Sequence, residues 1–195
     1  MKKLFVIAAL ALGVLGCSKT ETGEPDVFDW TDKEAIAPVS FDSETGVDLF
    51  SWEACKETVP ALLEQNGFIL GSSPSSCEIW PSGEGAVVIN DQTVINGIVA
   101  KYGLVSKISG SVEEYSLLAG YAITGNTGGY EISQRVKRTL DGVSLGLMVE
   151  QVGHGNCIPG YAFYMALYPK LPSGPVSKIY RTDVDADPGS GDGAE

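Results

Sequence analysis

The only histidine of the 195-residue chain, His154, stands three residues before Cys157. A cysteine hydrolase needs an imidazole beside the thiol to hold it as thiolate, and a third group to orient that imidazole. The same two side chains could start a transition-metal site, but two ligands fall short of the four that structural zinc takes. Asp183, Asp185 and Asp187 have the alternate spacing with which carboxylates converge on calcium, yet Pro188 stands where the loop needs glycine and no acid closes it. Arg135, Lys137 and Arg138 form a small basic cluster whose outward pair could recognise an acidic partner or a glycan. Tyr161, Tyr164 and Tyr168, with Trp52 and Trp80, could line a peptide or carbohydrate groove. Phosphate-binding glycine loops, a GxSxG elbow and paired carboxylates in a glycosidase context are missing from the sequence.

The N-terminus carries the most specific pattern. Met1-Lys2-Lys3 is followed by an apolar run from Leu4 to Leu15, the charged and hydrophobic regions of an export signal. Such a run is too short for a bilayer core, which needs about 20 residues. It ends in Val14-Leu15-Gly16-Cys17, which resembles a bacterial lipobox. The resemblance implies that Cys17 receives diacylglycerol, becomes the first residue after cleavage, and is then acylated on its new amine. Two or three acyl chains anchor a protein stably where one does not. Ser18 stands where an aspartate would mark inner-membrane retention, so the resemblance favours the outer membrane of a Gram-negative envelope. The partners expected are the membrane, through the N-terminal lipid, and a protein or other envelope component.

An exported chain meets an oxidising compartment, so one disulfide is expected among Cys55, Cys77 and Cys157. Cys55–Cys77, with the shorter separation, is the preferred pair, and a bridge to Cys157 is the rival. Gly155-Asn156-Cys157 resembles the nucleophile region of papain-like cell-wall amidases. That family places its histidine far from the cysteine in sequence, whereas His154 lies only three residues before Cys157. The departure removes the general base. The chain is read as non-enzymatic, with no catalytic residue, metal site or cofactor assigned. An envelope hydrolase using Cys157 and a small-ligand-binding lipoprotein are the alternatives.

Charge is distributed unevenly. The formal net charge is −12, but residues 18–50 hold nine acids against two lysines, and residues 183–195 hold five acids and no base. Between them, residues 51–182 are close to neutral, with 11 acids and nine bases. That balance argues against a nucleic-acid partner, which requires a basic face, and against a surface that binds head groups through bulk positive charge.

These residues must be positioned by the elements between the acidic ends. Residues 1–16 read as the signal, 17–47 as the lipidated cysteine with a flexible acidic tether, 48–182 as one globular domain, and 183–195 as a disordered acidic tail. Val27, Phe28 and Trp30 are the apolar residues with which the tether could dock. Asp48 is expected to cap a helix through about Lys56, with Pro60 breaking it or opening a second segment that ends at Gly67. A second helix is expected from Asp91 to Gly103, carrying Val94, Ile95, Ile98, Val99 and Tyr102 on one stripe. Ser111-Val-Glu-Glu114 has capping-box spacing for a short third helix, in competition with a strand over Tyr115–Thr124.

Asp141-Gly142 is a two-residue turn signal that predicts a hairpin pairing Leu140 with Val143, Val136 with Leu147 and Gln134 with Val149. Strands are also expected over Glu84–Asn90 and Tyr161–Tyr168. The fold class is α+β, an antiparallel β meander in the C-terminal half with N-terminal helices. An all-β sandwich or small barrel is the alternative.

Overall fold

The computed structural model describes residues 27–39, 50–70, 83–108, 110–125, 129–152 and 160–184. The fold is α+β, with two sheets and no closed barrel. In chain order the elements are α1 (Trp52–Gln65), β1 (Glu84–Ile89), α2 (Gln92–Lys101), β2 (Tyr115–Thr124), β3 (Tyr130–Thr139), β4 (Gly142–Gln151), β5 (Gly160–Pro169), β6 (Gly174–Pro175) and β7 (Lys178–Val184). A four-stranded sheet has the order β5-β2-β1-β6, and a three-stranded sheet has the order β3-β4-β7. All described pairings are antiparallel except β4 with β7.

Two apolar clusters stack the layers. Val87, Ile89, Leu117, Ala119, Met165 and Leu167 face α1 and α2 on one side of the four-stranded sheet. On its other side Val88, Leu118, Ala122, Tyr164 and Tyr168 meet Val136, Val143, Leu145, Leu147 and Val149 of the three-stranded sheet. The four-stranded sheet is therefore the middle layer. Its central strand β2 is buried on both faces, which is why its sequence reads as an apolar run without alternation. In the outer sheet β3 keeps the period of two of a strand buried on one side, while β4 is buried on both faces from Val143 to Leu147, where Phe28 covers Gly146.

Helix α1 departs from the expected break at Pro60. The helix starts at Trp52, capped by Ser51 rather than Asp48, and runs through the proline to Gln65. Pro60 lacks the amide that would bond the Lys56 carbonyl, on a turn where Lys56 and Glu57 are exposed. Val59, Leu62 and Leu63, buried around the proline, hold both halves on the core. The end follows expectation: Gly67 takes φ +85°, and Gly67 and Phe68 donate to Glu64 and Leu63 carbonyls in a Schellman cap. Helix α2 is capped by Asp91 and closed by Gly103 as expected, with Asn96 and Gly97 on its solvent side. Near Ser111 both competing expectations are realised in series, as one 3-10 turn at Val112–Glu114 leads directly into β2.

The β3–β4 hairpin has the predicted faces but not the predicted register. Thr139 pairs with Gly142, and Val136 faces Leu145 rather than Leu147. A displacement of two residues keeps every side chain on its face. The turn residues are Leu140 and Asp141, and only Gly142 takes positive φ there, at +131°. A type I′ turn at Asp141-Gly142 would have required positive φ at Asp141 as well.

The largest correction concerns the tether. Residues 27–39, expected to be part of a flexible segment spanning 17–47, pack as a strap. Ile36 exchanges two backbone hydrogen bonds with Val136 on the edge of β3, at 2.7 and 2.9 Å. Three residues later the Val39 amide donates to the Leu167 carbonyl on the edge of β5, at 2.8 Å. The strap thus crosses one side of the sandwich and joins an edge of each sheet. The expected domain start at Asp48 lies inside the chain of the fold, and β7 continues to Val184, past the expected tail boundary at Asp183.

Candidate functional site

Strand alternation puts Ser133, Arg135, Lys137 and Thr139 of β3 on the solvent side of the outer sheet, beside Ser144, Gly146 and Met148 of β4. Lys178, Tyr180 and Thr182 of β7 complete this face. The outward basic pair predicted from sequence is here, and the acid that meets it comes from the same chain. Lys137 Nζ lies 2.5 Å from Asp32 Oδ2 and 3.9 Å from Glu34 Oε2. Arg135 donates to the Trp30 carbonyl at 3.0 Å. Arg138, near the hairpin tip, reaches the Lys170 carbonyl at 2.5 Å and ties the two sheets together.

The strap is shaped by its own aspartates. Asp29 accepts from the Thr31 amide at 2.9 Å and hydroxyl at 2.7 Å, and Asp32 accepts from the Glu34 amide at 2.9 Å. These consecutive Asx turns present Phe28 to the sheet. Phe28 is buried over Gly146, with Trp30 edge-on at 5.4 Å and Tyr180 tilted at 6.0 Å. Lys178 sits 4.5 Å above the Tyr180 ring. The Lys137 hydrogen bond, then the Glu34 amide, holds Asp32 below its ordinary 3.8, and Asp32 in turn holds Lys137 above 10.5. The Thr31 hydroxyl and amide lower Asp29 in the same way. A cleft of about 200 Å³ remains beside the strap, lined by Val27, Phe28, Asp32, Lys137, Ser144 and Tyr180 among others. It is smaller than the ~300–1,000 Å³ typical of small-molecule sites.

The expected aromatic groove is divided by the four-stranded sheet. Tyr164 and Tyr168 point between the sheets and are buried, Tyr164 lying over Gly120. Burial drives the Tyr164 hydroxyl far above its ordinary range. Trp52 sits at the start of α1, with Lys56 over its ring at 5.7 Å. Trp80 lies outside the described residues. Only Tyr161 faces the helical side, and there it joins a different set. It stacks on Phe163 at 5.5 Å, meets Tyr121 edge-on at 5.6 Å, and Tyr121 meets Phe68 at 6.5 Å. Gly85, directly opposite Tyr121, leaves room for the Tyr121 and Phe68 rings over the backbone. All four rings are half-buried. The sequence signal for Tyr121 and Phe163 was their shared parity with Tyr161 in paired strands; nothing local pointed to Phe68.

Between the sheets a third polar group forms a clasp. Arg181 of β7 donates to Glu84 at 3.2 Å and to the Ile123 carbonyl at 2.8 Å, linking the outer sheet to β1 and β2. It also grips Asp183 through Nε and Nη2, at 2.9 and 2.7 Å. Burial disfavours the Arg181 charge, but Asp183 and Glu84 outweigh it and raise the guanidinium above its ordinary value. The first carboxylate of the calcium-like run is therefore already neutralised by an arginine. Asp185 and Asp187 lie outside the described residues.

Cys55 is buried in the helical core, its thiol 3.9 Å from the Phe50 carbonyl. Cys17, Cys77, His154 and Cys157 all lie outside the described residues, as does the expected Cys55–Cys77 bridge for that reason. Among the described residues, no three His, Cys, Asp or Glu side chains are grouped to hold a metal, and no helix is long and apolar enough to cross a membrane. Comparison with protein-family models, with curated proteins and with solved structures gives no significant match to this chain.

Proposed function

We propose that this chain is a non-enzymatic lipoprotein of the bacterial envelope, anchored through acyl chains on Cys17, most favourably in the outer membrane. Its folded domain binds a protein partner or another envelope component. The observation that carries the reading is the N-terminal pattern: two lysines, a short apolar run and Val14-Leu15-Gly16-Cys17. Support for the binding role comes from the Phe68, Tyr121, Tyr161 and Phe163 row, half-buried rings on the helical side of the middle sheet. Aromatic rings give rigid contact area at small entropic cost, which is why they are enriched at interfaces.

Replacing Cys17 by Ala should leave an unprocessed chain that no longer fractionates with membranes. Unchanged mass and fractionation would refute the anchoring. In the anchored protein, a Tyr161→Ala, Phe163→Ala variant that keeps its circular dichroism should lose a partner co-purified by the parent from detergent-solubilised envelopes. Retention of that partner would remove the aromatic row from the reading.

A further inference from the structure

From the docked strap and two exposed apolar residues beside it, we infer that the outer face of the three-stranded sheet, led by the β3–β4 hairpin tip, rests on the lipid surface. This deepens the proposed function and rests on lipidation of Cys17.

The strap changes the length of the anchor. Val27 adjoins Phe28 in its seat over Gly146, and Cys17 stands only ten residues before Val27. Ten residues span about 35 Å at full extension, and a relaxed coil of that length averages about 17 Å. Two stacked sheets and a helical layer are together about 20–30 Å thick, at about 10 Å between layers. In its relaxed span the anchor is thus shorter than the body it carries, exceeding it only near full extension, and it joins that body on the strap side. A tether of some 30 residues would have left all orientations open; this one favours the face that carries Val27.

That face has apolar side chains facing solvent. Val27 is 67% exposed, and Leu140, at the hairpin tip, is fully exposed. Val27 lines the same cleft as Thr139, the residue before Leu140. Fully exposed in the two-residue turn between β3 and β4, the leucine has no packing role in the fold. Around the tip stand Arg138 and Lys170, joined by the Arg138 hydrogen bond, with Lys178 at the start of β7. Asp29, Asp32, Glu34 and Asp141 oppose them, so charge does not drive the contact. The long stems of these cations can lie along a bilayer surface while their heads reach phosphate groups. One leucine and one valine would not hold a free protein on a membrane, but the acyl anchor makes their contact intramolecular and raises its effective concentration.

The test is photo-crosslinking of the full, lipidated protein in phosphatidylethanolamine and phosphatidylglycerol vesicles. p-Benzoylphenylalanine replaces Leu140 in one sample and Val105 in another. Val105 is 68% exposed and follows Leu104, which packs in the helical core across the middle sheet from the hairpin. Illumination should add the mass of one phospholipid at position 140 and none at position 105. Equal lipid adducts at both sites would mean a freely reorienting domain and would overturn the inference. So would a protein adduct, or no adduct, at position 140 in a chain whose mass shows the acyl chains on Cys17. A mass lacking those chains would refute the anchoring itself, and this orientation with it.

Discussion

Gly146 sits at the centre of the outer sheet, and its missing side chain sets how closely Phe28 can approach. A Cβ built there overlaps the Phe28 ring, while the glycine's backbone is ordinary strand that alanine also adopts. Two effects of Gly146→Ala therefore oppose each other. Alanine lowers the entropy of the unfolded chain and stabilises by about 0.4–1 kcal/mol where it fits. Displacing a buried ring costs about 1–3 kcal/mol. In the native chain the clash wins, and denaturant unfolding should show net loss. In a Phe28→Ala background the clash is gone, and the same substitution should be neutral or stabilising. Equal losses in both backgrounds would mean that Phe28 does not occupy the seat. Neither partner of this contact was legible alone. Gly146 read as one polar-face position of a hairpin, and Phe28 as one apolar residue in an acidic segment; only the folded topology brings them together.

The strap, as an element, is held by an ion pair whose pH dependence follows from its two shifts. Asp32 is held below its ordinary 3.8, so the strap contributes full stability above that value and loses it as pH falls through the lowered one. Lys137 is held above 10.5, so its contribution is complete below that pH and is lost as pH rises through the raised value. Docking should be flat between roughly pH 4 and 10 and weaken outside that window. Trp30 fluorescence in a Trp52→Phe, Trp80→Phe chain reports it directly. An acid midpoint above 3.8 would contradict the pairing, and Asp32→Asn should shrink the acid limb to the part that Asp29 contributes while weakening docking at neutral pH. Local signals for this element were present in the spacing of Asp29 with Thr31 and Asp32 with Glu34, where each side chain reaches a backbone amide two residues on. Composition hid them, because an acidic stretch with scattered apolar residues has no helical or strand period to read. The hairpin shows the complementary limit. Alternation correctly placed Val136, Leu145 and Leu147 inside, but a two-residue slip preserves alternation, so the register needed the opposing sheet to fix it.

At the scale of the whole molecule the sequence supplied the class of fold and most elements, while assignment of strands to two sheets depended on contacts far apart in the chain. β4 lies between β3, its hairpin neighbour, and β7, which begins 27 residues after β4 ends. The same is true of the stretch ahead of Asp48, where composition set the domain to begin, although the backbone bonds of Ile36 and Val39 tie earlier residues to both sheets. Two truncated chains test that boundary. A chain beginning at Asp26 keeps the whole strap and should melt with the parent. A chain beginning at Asp48 loses Phe28 from its seat on Gly146, and Ile36 and Val39 from the sides of the two apolar clusters. At about 1.5–3 kcal/mol for each large apolar side chain returned to water, fewer for those half-buried, the loss is on the order of 5 kcal/mol. It also leaves the backbone groups of Val136 and Leu167 without the strap on two sheet edges, which are sites for pairing with another molecule. The shorter chain should therefore unfold at lower denaturant and self-associate with rising concentration in analytical ultracentrifugation. If it instead matched the longer chain in both measurements, the strap would be a passenger on a domain already complete at Asp48, and the short anchor argued from it would lengthen accordingly.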